Sequence, residues 1–407
     1  MALVVEFTCE LPNGVHARPA SHVETLCNTF ISQIEWHNLR TDRKGNAKSA
    51  LALIGTDTLA GDACRLLIDG EDEQHARQQL ERWLKEEFPH CDAPLEGVIS
   101  TELDPLPESL TRLNPTLFRA TPVCSGSARG ILTLLTSLDL NALTDLPDAQ
   151  SVEAEQSALD NGLTLLVKHI ALRALDSDST ASAILEAHRS LATDTSLRQH
   201  LLSGVSQGLS CAQAIVATAN HFCDTFSRSS SAYLQERVLD VRDVCYQLLQ
   251  HIYGEARFPA PGQLTQPGVC LADDLTPGQF LELDKTLLKG LLLRSGGTTS
   301  HTVILARSFN IPTLVGVDSE SLLQWRNQPV FVDGNAGAVV VNGSDAVARY
   351  YRQEARVQQA IREQQRVWLD REARTADGLR IEIAANIAHA VEAQAAFSNG
   401  AEGVGLF

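Results

Sequence analysis

From Asp148 to Phe258 the chain carries no proline, and apolar residues recur three and four positions apart. Leu159, Leu163, Leu166 and Ile170 begin the series. Ile184, Leu185, Leu191, Leu197, Leu201 and Leu202 continue it, and Ile215, Ala219, Phe222, Leu234, Val238, Val241, Val244, Cys245, Leu248 and Leu249 complete it. That spacing turns one face of each helix inward and predicts a helical bundle or hairpin set over 148–258.

The flanks have other periods. In residues 1–90, Leu3 to Phe7, Ile31 to Trp36 and Leu66 to Ile68 predict strands. A helix opens at His16, with Val23, Leu26 and Phe30 inward, and a short one is predicted from Lys48 to Ile54. Glu71 to Phe88 predicts an amphipathic helix that buries Ala76, Leu80, Trp83 and Leu84. The whole reads as a small α+β domain. Residues 91–117 carry Pro94, Pro105, Pro107 and Pro115 with no sustained period, and read as a semi-extended linker.

Strands are predicted at Phe118 to Ala120 and Ile131 to Leu135, with a turn from Cys124 to Gly130 between them. After Pro259 come a strand at Val269 to Ala272, a short helix at Asp274 to Pro277, a strand at Leu291 to Leu293 and another from Thr313. Val330 to Asn335 and Ala338 to Val341 predict a hairpin. One α/β domain, 118–147 with 259–345, is thus split by the helical insert. Asp345 to Thr375 has no Pro or Gly and predicts one long, largely solvated helix, with 346–375 linking to the last segment. Residues 376–407 predict strand, helix and strand.

Composition narrows the function. The formal net charge of −17 argues against a nucleic-acid partner. No apolar run reaches the roughly 20 residues of a membrane span, and MALVVEFTCELPNG has no signal-peptide pattern, so a cytoplasmic protein is expected. Nine scattered cysteines include no CxxC pair, which favours small buried apolar residues over a zinc site or disulfide framework.

Two histidines stand where a helix should begin. In LLLRSGGTTSHTVILARSFNIPTLVG, from Leu291 to Gly316, the strand breaks at Gly296-Gly297 and His301 falls in the first turn of a helix that Pro312 ends. Free backbone amides and partial positive charge make such a terminus a phosphate site, and a neutral imidazole is a nucleophile near pH 7. His16 repeats the arrangement after Asn13-Gly14, with Arg18 as a fixed cation. Spacing alone favours partly exposed histidines beside a turn over phosphate chemistry. His188, with no glycine turn before it, reads as a packed or surface helix histidine.

The residues themselves carry a resemblance. Gly296-Gly297-Thr298-Thr299-Ser300-His301 through Ala306-Arg307 resembles the GGxTSHxxIxAR signature of phosphoenolpyruvate-utilising enzymes. Asn13-Gly14-Val15-His16-Ala17-Arg18-Pro19-Ala20 resembles the active-site motif of the phosphocarrier HPr, and Ala47-Lys48-Ser49 and Gly70 to Glu73 its later landmarks. Glu186-Ala187-His188 and Tyr233 to Asp243 resemble the helical insert that docks HPr in enzyme I of the phosphotransferase system. The order, HPr then enzyme I, is that of bacterial multiphosphoryl transfer proteins of the fructose type.

The resemblance implies a fold: an HPr-like open-faced β-sandwich (1–90), a swivelling phosphohistidine domain, the helical docking insert (148–258), and the first βα units of an incomplete TIM barrel (376–407). It implies a phosphoenolpyruvate–protein phosphotransferase relay. Phosphoenolpyruvate phosphorylates Nε2 of His301, the group passes to Nδ1 of His16, and a IIA domain or protein receives it for sugar uptake. Arg18, Ala17, Gly296, Gly297, Thr299 and Ser300 are the candidate phosphoryl-stabilising residues. Ser49 matches a serine phosphorylated for regulation in some bacteria, while its position favours a helix N-cap. Mg²⁺ belongs to the family, with ligands expected in the barrel and none in this chain. A barrel needs roughly 250 residues; about thirty are present, so a fragment unable to load itself is expected, with dimerisation reserved to the complete barrel.

Residues 1–90 hold nine Lys/Arg against fourteen Asp/Glu, so tethering is expected to replace electrostatic steering between the domains. Two other readings stay open. One is a regulatory protein whose histidines report phosphorylation state. The other, a phosphoenolpyruvate synthase or pyruvate phosphate dikinase relative, requires an ATP-grasp domain that nothing here supplies.

Overall fold

The structure, a computed structural model, describes residues 3–91, 103, 105–143, 145–175, 177, 179–228, 232–259, 264–297, 300–369, 371–386 and 392–406. The N-terminal domain runs β1 (Leu3–Thr8), α1 (Ala17–Cys27), β2 (Gln33–Asn38), β3 (Arg43–Asn46), α2 (Ala50–Gly55), β4 (Ala63–Asp69) and α3 (Glu73–Glu86). Its antiparallel sheet has the order β1-β4-β2-β3. Strand alternation sends Ile34, Trp36, Leu66 and Ile68 into a core closed by Leu80 and Phe88. β2 begins two residues later than the apolar pattern predicts, because the Asp72 carboxylate takes the N–H groups of Ile31 and Ser32 out of the ladder. β3 is a polar strand that the pattern does not reveal; its Lys44 pairs with Glu35 across the ladder.

A short helix α4 (Glu108–Thr111) interrupts the stretch read as a linker. Then come β5 (Thr116–Arg119), β6 (Thr121–Cys124) and β7 (Ser127–Leu134). β7 takes in residues that the sequence assigns to a turn. Gly130 is there for packing, since a Cβ would lie 2.8 Å from the backbone of Gly268 and Val269 on the adjoining strand.

The insert consists of α5 (Val152–Leu175), α6 (Ser179–Thr193), α7 (Thr195–Ser206), α8 (Cys211–Ser227) and α9 (Ala232–Tyr253). The α/β part resumes with β8 (Gly268–Ala272), α10 (Pro277–Glu282), β9 (Leu288–Leu293), α11 (His301–Ser308), β10 (Thr313–Val315), α12 (Ser319–Leu323), β11 (Pro329–Asp333) and β12 (Ala338–Val341). Strands from both sides of the insert form one eight-stranded mixed sheet, β5-β12-β11-β7-β8-β9-β10-β6. β7, β8, β9 and β10 are parallel. β8, β9 and β10 are buried on both faces, which is why Leu291-Leu292-Leu293 is an unbroken apolar run: Leu291 and Leu293 pack on the α11 side and Leu292 on the other.

α13 (Asp345–Arg366) ends nine residues short of the predicted helix, and one face of its first turns is packed: Val347 and Tyr351 are buried, with Tyr351 stacked on Phe331 at 4.8 Å. β13 (Ala384–Asn386), α14 (Glu392–Ser398) and β14 (Gly403–Leu406) follow, with β13 and β14 parallel. β13 is shorter than the strand predicted from Leu379.

The N-terminal domain lies against the insert. α2 touches α6, α7 and α8, and one hydrophobic cluster runs from the domain core into the helices. Among the described residues, no helix is long and apolar enough to cross a membrane.

Candidate functional site

β9 delivers the chain to Gly296, whose φ of +130° suits only glycine, and Ser300 caps the next helix by accepting the Val303 N–H. His301 is therefore the first residue of α11, beside free amides. Gly297 lies in the same turn; Thr298 and Thr299 fall outside the described residues.

The His301 ring faces the insert, and its side chain is 17% exposed. Helix α9 sets Arg237, Asp240 and Asp243 three residues apart, hence on one face. Asp240 Oδ1 lies 3.1 Å from His301 Nδ1. Arg237 Nη1 lies 2.9 Å from His301 Nε2 and 2.8 Å from Asp240 Oδ2. His188 of α6 completes the cluster, with Nε2 3.4 Å from Asp240 Oδ1 and Nδ1 3.6 Å from Asp243 Oδ2. Asp243 also accepts the Gly278 N–H at 2.7 Å, where a Cβ on Gly278 would strike the carboxylate. His188 is fully buried, which selects the packed reading over the surface one, and the sequence missed what it packs against.

Charge within this cluster follows from burial and its partners. Burial lowers the His301 pKa and the Arg237 guanidinium lowers it further, against the opposing pull of Asp240. Burial opposes the Asp240 charge, but His301, Arg237 and His188 outweigh it and hold the carboxyl well below the usual range. At neutral pH, Asp240 is the anion and His301 a neutral ring. A carboxylate at Nδ1 fixes the proton there and leaves Nε2 as the nucleophilic nitrogen. The guanidinium and the α11 amides are the cations and donors that an added anionic group at Nε2 would meet.

His16 is the N-cap of α1, in extended conformation (φ −104°, ψ −171°), with its carbonyl accepting the Ala20 N–H. It is 5% exposed. Gly14 before it has φ +71°, and a Cβ there would collide with the Thr58 carbonyl. Ala17 and Arg18 form the first turn of α1, and their side chains lie outside the described residues.

Ser49 caps α2 by accepting the Ala52 N–H, and its hydroxyl donates at 2.8 Å to the carboxylate of Asp194 in the insert. Asp194 also accepts the N–H groups of Leu51, Ser196 and Leu197, so one carboxylate caps α7 and reaches the first turn of α2. Ser49 is wholly buried. Asp194, Arg237 and Asp240 escape single-sequence reading because each lies on a different helix from the residue it serves. The one available signal was the i, i+3 spacing of Arg237, Asp240 and Asp243 on a helix that otherwise reads as core.

Among the described residues no group of three or more His, Cys, Asp and Glu side chains is arranged to hold a metal ion, so Mg²⁺ is assigned to no residue here.

Comparison with known proteins covers nearly all of these parts. Residues 4–86 match the family described as PTS HPr component phosphorylation site. Residues 119–237 match the N-terminal domain of PEP-utilising enzymes, 264–337 their mobile domain, and 362–407 their PEP-binding domain. The chain is 77% identical over its full length to multiphosphoryl transfer protein 2 of Escherichia coli K12, of which it covers 49%. It is 39% identical over its full length to multiphosphoryl transfer protein 1 of the same strain, of which it covers 48%. A phosphoenolpyruvate-protein phosphotransferase of Staphylococcus carnosus is 33% identical over 56% of this chain and 39% of its own. The chain thus spans about half the length of the multiphosphoryl transfer proteins it matches. It joins a region matching the HPr family to regions matching the PEP-utilising enzyme domains, and along its full length it is similar to the N-terminal halves of the multiphosphoryl transfer proteins.

Proposed function

We propose that His301 and His16 are successive phosphoryl carriers. In the whole protein, Nε2 of His301 takes the phosphoryl group of phosphoenolpyruvate. The Nε2–P bond then breaks as a bond forms between phosphorus and Nδ1 of His16, and His16 passes the group to a IIA domain that serves sugar uptake in the cytoplasm. Phosphoryl transfer is chiefly positioning and charge stabilisation. Asp240 fixes the acceptor nitrogen, while Arg237 and the α11 amides face the incoming oxygens. At His16, the α1 amides with Ala17 and Arg18 take that part. Gly296, Gly297 and Ser300, which lead into α11, are assigned to stabilising the phosphoryl group, and Thr299 is assigned the same part from the sequence motif. The hydrogen bond between Asp240 and His301 Nδ1 is the observation that supports this reading most directly.

β13-α14-β14 has the parallel strand–helix–strand form of a first barrel unit, and we assign the loading of His301 to a complete barrel. Homodimerisation is likewise assigned to that barrel. Ser49 is a candidate for regulatory modification that a modifying enzyme reaches only when α2 leaves the insert, since its hydroxyl is buried against Asp194.

The test is transfer from labelled phosphoenolpyruvate. The chain alone is expected to take up no label. With a full-length multiphosphoryl transfer protein as donor, label reaches His16, and His16→Ala abolishes it. In the full-length protein supplied with labelled phosphoenolpyruvate, His301→Ala is expected to leave both stations unlabelled, and His16→Ala to strand label at His301. Label on neither histidine would overturn the relay; self-loading of the chain would overturn the assignment of loading to a complete barrel.

A further inference from the structure

His188 of α6 presents both ring nitrogens to carboxylate oxygens of α9. Nε2 lies 3.4 Å from Asp240 Oδ1, a long hydrogen bond, and Nδ1 lies 3.6 Å from Asp243 Oδ2, a charge contact just beyond hydrogen-bond reach. The ring is completely buried and both acids nearly so, which leaves little water to screen them. Asp243 Oδ2 is also the atom that accepts the Gly278 N–H, so it faces the ring as an acceptor. A neutral imidazole has one N–H and one lone pair. In either tautomer that lone pair would face a carboxylate oxygen at close range inside the protein. Only the imidazolium, a donor at both nitrogens, suits both oxygens at once.

The charge count agrees. Asp240 and Asp243 bring two negative charges, and Arg237, 2.8 Å from Asp240 Oδ2, brings one positive charge. The other arginines of these helix faces are engaged elsewhere: Arg242 lies 3.6 Å from Asp274, and Arg189 is paired with Glu186. His301 of α11 is the neutral ring of the cluster, its pKa lowered by burial. One positive charge is missing among groups that are out of water, and His188 is placed to supply it. Burial opposes its charge, but Asp240 and Asp243 outweigh burial and the Arg237 charge, and the His188 pKa is raised.

Asp240 Oδ1 is shared by two imidazoles, Nε2 of His188 and Nδ1 of His301 at 3.1 Å. We propose that His188 is a positioning residue for phosphoryl acceptance: held as an imidazolium between Asp240 and Asp243, it fixes the Asp240 carboxylate, which in turn keeps the proton of His301 on Nδ1 and leaves Nε2 as the acceptor. His188 touches no phosphoryl group and gives up no proton. The inference rests on the reading of His301 as a phosphoryl acceptor and adds the residue that sets its tautomer.

The test begins with nitrogen-15 spectra of the imidazoles in the whole chain, without a phosphoryl donor. Both nitrogens of His188 are expected to be protonated at pH 7, while His301 shows a protonated Nδ1 and an unprotonated Nε2. His188→Gln keeps a donor without the charge, and the difference between the two His301 nitrogens should shrink as the tautomers mix. Asp243→Asn leaves Asp240 and His188 in place but removes one of the two acids; His188 should then lose its proton near neutral pH and the His301 tautomers should mix again. In the full-length protein supplied with labelled phosphoenolpyruvate, His188→Gln should lower kcat for labelling of His301 by roughly ten- to a hundredfold with KM little changed. A neutral His188 at pH 7 in the unaltered chain, or a His301 tautomer that stays fixed when His188 is replaced or neutralised, overturns the proposal. Failure of the relay reading shows separately, as the absence of label on His301 in the unaltered full-length protein.

Discussion

Arg237 Nη1 stands 2.9 Å from Nε2 of His301, the nitrogen left unprotonated when the Asp240 carboxylate holds the proton on Nδ1. The guanidinium thus covers the reactive edge of the ring and, in the proposed relay, lies beside any group bound there. Arg237→Met is expected to raise the His301 pKa, since Arg237, with burial and His188, lowers it. Nitrogen-15 titration of the imidazole measures this. Phosphoryl acceptance should fall roughly a hundredfold, the usual loss when one transition-state donor is removed.

The depressed His301 pKa also sets a pH profile for phosphorylation by a supplied donor. The neutral ring is the acceptor, and burial keeps it neutral below the ordinary histidine value of 6.5. The rate constant for acceptance should be level from about pH 6.5 to 8 and drop only on the acid side. Rapid-quench measurements at saturating donor would show it. A rate that climbs steadily through pH 7 would contradict a neutral acceptor.

Asp240→Asn leaves Arg237 buried without its carboxylate and His188 without its nearer one. Removing one partner of a buried ion pair costs about 3–5 kcal/mol, which urea unfolding should register. His188, whose pKa is raised by Asp240 and Asp243 against burial, should titrate lower in this variant.

Gly278→Ala tests the seam between insert and sheet. The added methyl carbon would lie 2.7 Å from Asp243 Oδ2, and the N–H bond from Gly278 to that oxygen must lengthen. Overpacking of this kind costs about 1–3 kcal/mol. A lowered melting temperature, together with shifted ring resonances of His188, is expected.

Ser49→Ala removes the α2 cap and one donor to Asp194. Loss of an N-cap costs about 0.5–2 kcal/mol. The expected signature is loss of exchange protection in α2 and at the start of α7 together, since Asp194 joins the two. Loss confined to α2 would show that Ser49 acts only as a local cap.

The sequence revealed more of the elements than of their encounters. Gly296, Pro312 and the apolar run between Leu291 and Leu293 place His301 at a helix start without any structure, because glycine, proline and strand burial act locally. The proline-free stretch revealed the insert for the same reason. β3 stayed hidden because its residues, Arg43 to Asn46, are polar and stabilised by cross-strand partners. Gly130 misled, since a glycine required by a neighbouring strand looks like a glycine required by a turn. His188, Arg237 and Asp240 meet His301 only through tertiary packing, across sequence gaps that no local period records.

The eight-stranded sheet has a consequence for synthesis. Thr116 of β5 pairs with Val341 of β12, about 225 residues further along the chain, and β7 must wait through five helices for β8. A chain emerging from the ribosome at roughly 5–20 residues per second holds these strands unpaired for many seconds. The N-terminal domain and the helices can close on local contacts meanwhile, and the docked pair is then available to shelter the waiting edge of β7. Ribosome-stalled chains ending near residue 260 should already protect α2, while β7 stays open until β8 and β11 have been made.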